Sequence, residues 1–259
     1  MSSATDEFDF SVRGGTTYEL HSTLKPPFEI VQVVAFNMAL VLAGWFLLSP
    51  DAVTSARFAS LVFLPAVLAS WAFSDVPTTN LYGSQPARAM AALGDADRLR
   101  NLIMARDLTL WLLVAPATAL LSFALAFDDR DILGSAVVAA LVVVTPFASL
   151  GIGAIMAPLL PYHPIPLSQR RRLRSTWLRW TVAVCLPYAL IGPATLVVLL
   201  PSIVLVYWQG KSSAVWIACA LMTLGWTLLV RRLAVDYAIR LTLKRTAFLR
   251  EYLADPNRG

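Results

Sequence analysis

Residues 132–160 read ILGSAVVAALVVVTPFASLGIGAIMAPLL, a long apolar run without a charged side chain. A helix of about 20 apolar residues crosses the hydrocarbon core of a membrane, so this run is long enough to span it. Five other uncharged apolar runs lie at 30–49, 58–74, 108–127, 180–207 and 214–230. Of the 259 residues, 58% are hydrophobic and 14% are charged, whereas soluble domains average about 25% charged residues. The sequence therefore predicts an all-α, polytopic membrane protein with six transmembrane helices in residues 30–230.

The basic residues alternate along the chain. All but three of the 21 lysines and arginines lie before the first run, in 75–107, in 161–179 or after residue 230. Since Lys and Arg are enriched in cytoplasmic segments, we expect these segments and both termini to be cytoplasmic, in a multi-pass protein of the plasma (inner) membrane. The net charge of +5 is better explained by contact of the helix ends with the lipid bilayer than by nucleic acid.

The apolar runs lack the side chains that most membrane chemistry requires. None of the six contains Asp, Glu, Lys, Arg or His, which argues against a proton-coupled transporter, a voltage sensor or an acidic cation channel. The two histidines, His21 and His163, lie outside the runs, and no Gly-x-x-x-x-Gly-Lys-Ser/Thr loop for nucleotide hydrolysis is present. No catalytic, cofactor-binding or metal-binding residue is therefore assigned to this chain.

Three polar segments flank or interrupt the runs. Residues 1–29 are expected to form an N-terminal interfacial segment, and residues 231–259 to continue the last helix as an amphipathic C-terminal helix. The segment 75–107 is too long for a simple connector. Within it Gly94 predicts a break, and Asp95 predicts the N-cap of a following helix.

The segment 75–107 is also the candidate site of contact with a partner. We expect it to place a short helix across the base of the membrane domain, with its apolar face on the bundle. Its charged residues would then face the cytoplasm or another protein: Arg88, Asp95, Asp97, Arg98 and Arg100.

The fifth run is too long and too rich in proline for one straight crossing. Residues 177–207 would extend about 46 Å as a single helix. Because proline interrupts the helical hydrogen-bond ladder, we expect a broken fifth helix at Pro187, Pro193 and Pro201, with a re-entrant segment near residues 201–208.

Two motifs give the chain a family resemblance. The turn Asn80-Leu-Tyr-Gly83 is followed by LGDADRLRNLIMARD at 93–107, and the fourth run ends with GIG at 151–153 and PLLP at 158–161. With the helix layout, these motifs resemble the permease subunits of ABC-2-type export transporters, which have a type V exporter-like transmembrane domain. Family members often carry Asp-Gly shortly after the turn glycine, whereas this chain has Gln85-Pro86.

The resemblance implies a function in transport. In the family, the loop between helices 2 and 3 docks into a groove of a separate ATP-binding subunit, so residues 88–104 would be the coupling helix. The resemblance also implies a dimer with a second permease copy or a homologous permease, and ATP and Mg²⁺ on the ATPase rather than on this chain. The uncharged helices favour an apolar or amphiphilic cargo.

Two other classes of protein remain open. A non-transporting accessory or assembly subunit of a membrane complex would have a similar composition. A lipid-modifying integral membrane enzyme is the third hypothesis, although the sequence places no group of acidic, basic or metal-binding side chains suited to catalysis at the membrane face. Co-purification with an ATPase would separate the transporter from the accessory subunit.

Overall fold

All regular structure is helical in the residues that the computed structural model describes. These residues are 8–25, 80–126, 132–163 and 212–255, with short pieces between 31 and 47 and between 177 and 208. The helices bounded within them are α1 (Val12–Thr23), α2 (Pro86–Ala92), α3 (Ala96–Ala126), α4 (Ile132–Val144), α5 (Pro146–Leu159), α6 (Ser213–Lys244) and α7 (Thr246–Ala254). The predicted all-α class is confirmed for this part of the chain.

Three stretches of helix are long and apolar enough to cross a membrane. They are Ala96–Ala124 within α3, Ser135–Leu159 across α4 and α5, and Ser213–Lys244, which is α6. This confirms long apolar helices for the third, fourth and sixth predicted runs. The first, second and fifth runs lie outside the continuously described residues.

The fourth predicted run is divided into two helices at Thr145. Pro146 begins α5 and has no N–H to donate, so the hydrogen-bond ladder is interrupted there. Two side chains donate to carbonyl groups beside the interruption: Thr145 Oγ1 to Leu141 O at 2.8 Å, and Trp111 Nε1 of α3 to Val143 O at 3.0 Å. The Trp111 bond joins α3 to the junction of α4 and α5.

Helices α5 and α6 approach each other closely at a glycine. A Cβ on Gly151 would lie 2.9 Å from the Cβ of Ala234, which is closer than side-chain atoms normally pack. Small residues at such contacts let helix backbones pack tightly in a membrane protein. Gly151 belongs to the GIG motif of the sequence, so this motif acts here in helix packing.

The charged residues of the described part collect at one end of the bundle. Every described Asp, Glu, Lys and Arg lies in 8–25, 80–107 or 231–255. The start of α3 and the ends of α5 and α6 meet there, and their apolar side chains form the main core with those of 81–93 and 249–253. We call this end, made of residues 8–25, 80–107, 154–163 and 231–255, the polar base.

The C-terminal residues fold back onto the polar base. Helix α6 continues past residue 230, as the sequence predicts, but it ends at Lys244. Helix α7 follows, and its side chains Leu249, Tyr252 and Leu253 are buried in the main core. The single amphipathic helix expected over 231–259 is thus corrected to two helices, because α7 buries its apolar face against residues 81–93.

Candidate functional site

The turn before α2 is packed against the chain that follows α5. Asn80 and Gly83 are brought together, since the main-chain N–H of Ser84 donates to Asn80 O at 3.2 Å and Asn80 Oδ1 lies against Gly83. A Cβ on Gly83 would overlap the carbonyl oxygen of Tyr162. Only glycine, which has no Cβ, allows this close approach of two backbones.

Tyr82 fixes the same turn to α6. Its side chain is fully buried, and its hydroxyl lies 2.8 Å from Thr242 Oγ1. Thr242 donates its own hydroxyl hydrogen to Ala238 O at 2.8 Å, so Tyr82 is the donor in the bond to Thr242. Burial raises the pKa of Tyr82 to about 12, so this hydroxyl remains protonated even at pH 10, where an ordinary tyrosine is half ionised.

Arg88, on α2, is buried rather than exposed. Its Nη1 lies 3.4 Å from Glu19 Oε1 of α1, and its Nη2 donates to Asp9 O at 3.2 Å. Arg106 of α3 binds the other carboxylate oxygen of Glu19 at 2.5 Å. The prediction that Arg88 faces the cytoplasm or another protein is therefore wrong, because α1 covers it and supplies its counter-charge.

Glu19 thus joins three segments that are distant in sequence. The carboxylate and both guanidinium groups are at most 8% exposed. Gly15 lets α1 come this close, since a Cβ there would lie 2.8 Å from the Cβ of Ala105. The described part of the N-terminal segment is therefore a packed helix, α1, whose buried carboxylate forms ion pairs with two arginines.

Asp107, which follows Arg106 on α3, makes an ion pair on another side of the helix. Asp107 Oδ2 accepts from Arg231 Nη2 at 2.8 Å and from Arg231 Nε at 3.1 Å. The guanidinium of Arg231 also lies 5.3 Å from the centre of the Phe147 ring. Through adjacent residues, α3 is bound to α1 by Arg106 and to α6 by Asp107.

The most exposed part of the predicted coupling segment is the corner between α2 and α3. Gly94 has a φ of +101°, a left-handed conformation that favours glycine and ends α2. Asp95 Oδ1 accepts from the main-chain N–H of Asp97 at 2.9 Å and of Arg98 at 3.1 Å, so it caps α3. Both predictions, the break and the cap, are confirmed. Residues 94–97, which we call the acidic corner, are all exposed.

The two arginines after the acidic corner have partners within the chain. Arg98 Nε lies 3.3 Å from Asp95 Oδ2, and its guanidinium lies 5.4 Å from the centre of the Phe10 ring. Arg100 Nη2 lies 2.8 Å from Asp236 Oδ1 of α6, with both side chains partly exposed. Of the five predicted contact residues, Asp97 is therefore the exposed one whose carboxylate forms no ion pair with another described residue.

The structure of residues 88–104 differs from the single coupling helix that the resemblance implies. The segment 88–104 is not one transverse helix, because it is interrupted at residues 93–95 and its second half is the start of α3. The short helix before the interruption is α2. The acidic corner is therefore continuous with the end of a helix that is long and apolar enough to cross a membrane.

Sequence reasoning missed several residues that hold this site together. Glu19 and Tyr82 bind their partners over long sequence separations, and His163 Nε2 lies 3.0 Å from Tyr252 O. The one signal in the sequence was that Glu19 is the only acidic residue within α1.

The remaining predicted residues lie elsewhere. Pro187 and Pro193 are outside the described residues, whereas Pro201 lies in a helical stretch with Leu199 and Leu200. Leu199 is buried in a cluster with Trp216 of α6. Within the described residues, no group of three or more His, Cys, Asp or Glu side chains is arranged to hold a metal ion.

Comparison with known proteins found no matching family model, no matching curated protein and no matching solved structure.

Proposed function

We propose that this chain is the membrane-spanning permease subunit of an ATP-driven exporter of the ABC-2 type. In this proposal the acidic corner docks on a separate ATP-binding subunit, and the polar base and both termini face the cytoplasm. The chain would have six transmembrane helices in the plasma (inner) membrane and would form the substrate pathway with a second permease copy or a homologous one.

The observation that carries the proposal is the attachment of an exposed corner to several helices at once. The segment around the acidic corner is joined to α1 by Arg88 and Glu19, to α6 by Tyr82 and Thr242, and to α7 by Arg250, whose Nη2 donates to Leu93 O at 3.0 Å. A simple connecting loop would not need these contacts. A displacement of the corner would move all these helices together.

The length of α3 supports the same mechanism. The helix has 31 residues, which corresponds to about 46 Å at 1.5 Å per residue. It begins at the acidic corner and continues into the apolar part of the bundle without leaving the helical conformation. Closure of ATP-driven partner subunits against the corner could thus rock the membrane helices between two states.

The need for a partner follows from what the sequence lacks. The chain has no nucleotide-binding loop of the Gly-x-x-x-x-Gly-Lys-Ser/Thr type and no charged residue within its apolar runs. In this proposal ATP and Mg²⁺ are therefore held by the ATPase subunit, and the pathway accepts an apolar or amphiphilic cargo.

The test is co-purification. The tagged chain is extracted from its native membrane in mild detergent, and its partners are identified by mass spectrometry and assayed for ATP hydrolysis. We expect a stoichiometric P-loop ATPase with the unmodified chain and a loss of this ATPase with Asp97→Lys, which reverses an exposed charge. Arg240→Glu is the matched control, because Arg240 is exposed on α6 and outside the acidic corner.

The possible results are distinct. Unchanged ATPase recovery with Asp97→Lys would reject the docking site. Recovery only of membrane proteins without nucleotide sites would favour an accessory or assembly subunit over a permease.

Orientation needs its own measurement. In intact cells, a membrane-impermeant amine reagent should modify Lys211 but not Lys244, as mapped by mass spectrometry. The reverse pattern would place the polar base outside the cell and would contradict the proposal.

A further inference from the structure

An open cavity lies between α3 and α6 beside the Arg100–Asp236 ion pair. Its volume is about 400 Å³. The cavity is lined by three arginines, one aspartate and two apolar residues: Arg100, Arg231, Arg232, Asp236, Met104 and Val235. The proposed docking at the acidic corner does not use it.

The sequences of α3 and α6 indicate where the cavity lies relative to the membrane. On α6, Arg231 and Arg232 directly follow the uncharged run that ends at residue 230. On α3, Met104 lies one turn before the uncharged run that begins at residue 108. The cavity therefore lies where the apolar bundle meets the polar base, which is the level of lipid headgroups for helices of this kind.

Apolar side chains continue from the cavity along the outside of both helices. On α3, Met104, Leu108 and Leu112 follow Arg100 at intervals of four residues, and all three are exposed. On α6, Leu228 and Leu224 precede Arg232 at the same interval and are also exposed. The two helices thus present an exposed apolar strip that ends at a basic cavity.

The arginines of the cavity differ in their partners. Arg231 is held by Asp107, and Arg100 is held by Asp236. Arg232 is exposed, and no carboxylate among the described residues forms an ion pair with it. The wall therefore has excess positive charge, and Arg232 offers a planar set of N–H donors suited to a phosphate group.

We propose that this cavity binds the phosphate headgroup of an anionic phospholipid. Arg232 is its main ligand, Arg100 and Arg231 add N–H donors, and an acyl chain lies along Leu108 and Leu228. Basic pockets between helices at the cytoplasmic side of a membrane are suited to such headgroups. The inference does not depend on the identity of the partner at the acidic corner.

The test measures lipid retained by the purified chain. The chain is reconstituted in vesicles of equal phosphatidylglycerol and phosphatidylcholine content, extracted and examined by native mass spectrometry. We expect selective retention of phosphatidylglycerol. Arg232→Gln should reduce this retention about fivefold, because a basic residue attracts the anionic headgroup electrostatically. Arg240→Gln, which removes an exposed arginine of α6 outside the cavity, should leave retention unchanged.

Two further measurements keep the result decisive. Arg232→Lys retains the charge but not the planar donor set, so it should retain more lipid than Arg232→Gln and less than the unmodified chain. Equal retention of both lipids, or equal loss in the Arg232→Gln and Arg240→Gln variants, would overturn the proposal. Displacement of the bound lipid by millimolar inorganic phosphate would also overturn it, because the site would then be one for a soluble anion.

Discussion

Two ion pairs on α3 have the same chemistry but different surroundings. Arg106 binds Glu19 where the side chains are 8% and 3% exposed, whereas Arg100, less than two turns earlier, binds Asp236 where they are 51% and 35% exposed. A buried ion pair is costly to break because its remaining partner stays desolvated, and an exposed pair is not. The coverage supplied by α1, rather than the pattern of charges along α3, decides which pair holds the polar base together.

The largest effect is expected for Glu19→Ala. This change removes the buried carboxylate that both Arg88 and Arg106 bind, so we expect a destabilisation of about 3–5 kcal/mol. The measurement is the thermal unfolding of the purified chain in detergent. Asp236→Ala is the control and should cost at most about 1 kcal/mol. Similar losses of stability in the two variants would show that burial does not determine how much each ion pair contributes to stability.

An intermediate effect is expected for Arg231→Gln. Its partner Asp107 is buried while Arg231 itself is 19% exposed, so the pair lies between the two extremes. Loss of two hydrogen bonds to a charged group should cost about 1.5–3 kcal/mol. Arg232→Gln, at the neighbouring exposed position, should unfold at the same temperature as the unmodified chain. An Arg231→Gln chain as stable as the Arg232→Gln chain would contradict this ranking of the ion pairs by their burial.

A smaller effect is expected where the buried bond is uncharged. Tyr82→Phe removes the bond to Thr242 and should cost about 1 kcal/mol at neutral pH. Equal stability of the two chains at neutral pH would mean that the bond contributes nothing there.

The same residue predicts a pH dependence. The pKa of Tyr82 is about 12 in the folded chain against 10.0 for an ordinary tyrosine. Since the folded state holds this proton more strongly, its stabilisation is complete below pH 10 and is lost as the pH rises through 12. The unmodified chain should therefore lose stability more steeply than Tyr82→Phe between pH 10 and 12. Parallel unfolding curves over that range would exclude a role for this proton.

The smallest effect is expected for the exposed pair itself. A double-mutant cycle with Arg100→Ala and Asp236→Ala should give a coupling energy of about 0.2–1 kcal/mol. Salt screens exposed charges, so the coupling should fall further at 1 M NaCl. A coupling that salt leaves unchanged would place this pair with the buried ones.

The sequence predicts those features that depend on neighbouring residues. The break at Gly94 and the cap at Asp95 were predictable because a left-handed turn and a capping carboxylate act within a few residues. The three long apolar helices were predictable because hydrophobic length is a property of each segment alone.

The features that the sequence did not predict depend on distant residues. The burial of Arg88 requires α1 to cover it, and nothing near residue 88 indicates a carboxylate at residue 19. The return of α7 onto residues 81–93 likewise follows from a packing surface assembled from several helices. Exposure of a charged residue in a polar segment therefore could not be inferred from its own neighbourhood.

The separation of Glu19 from its arginines has a consequence for synthesis of the protein. The carboxylate precedes Arg88 by 69 residues and Arg106 by 87 residues. While the ribosome makes the intervening chain, α1 has neither partner, and its carboxylate stays hydrated because an uncompensated buried charge costs several kcal/mol. The core is closed later still, when Leu249 and Leu253 emerge. A nascent chain stalled before Arg106 has emerged should therefore remain open to protease at α1, because α1 packs on α3 and its carboxylate binds Arg106.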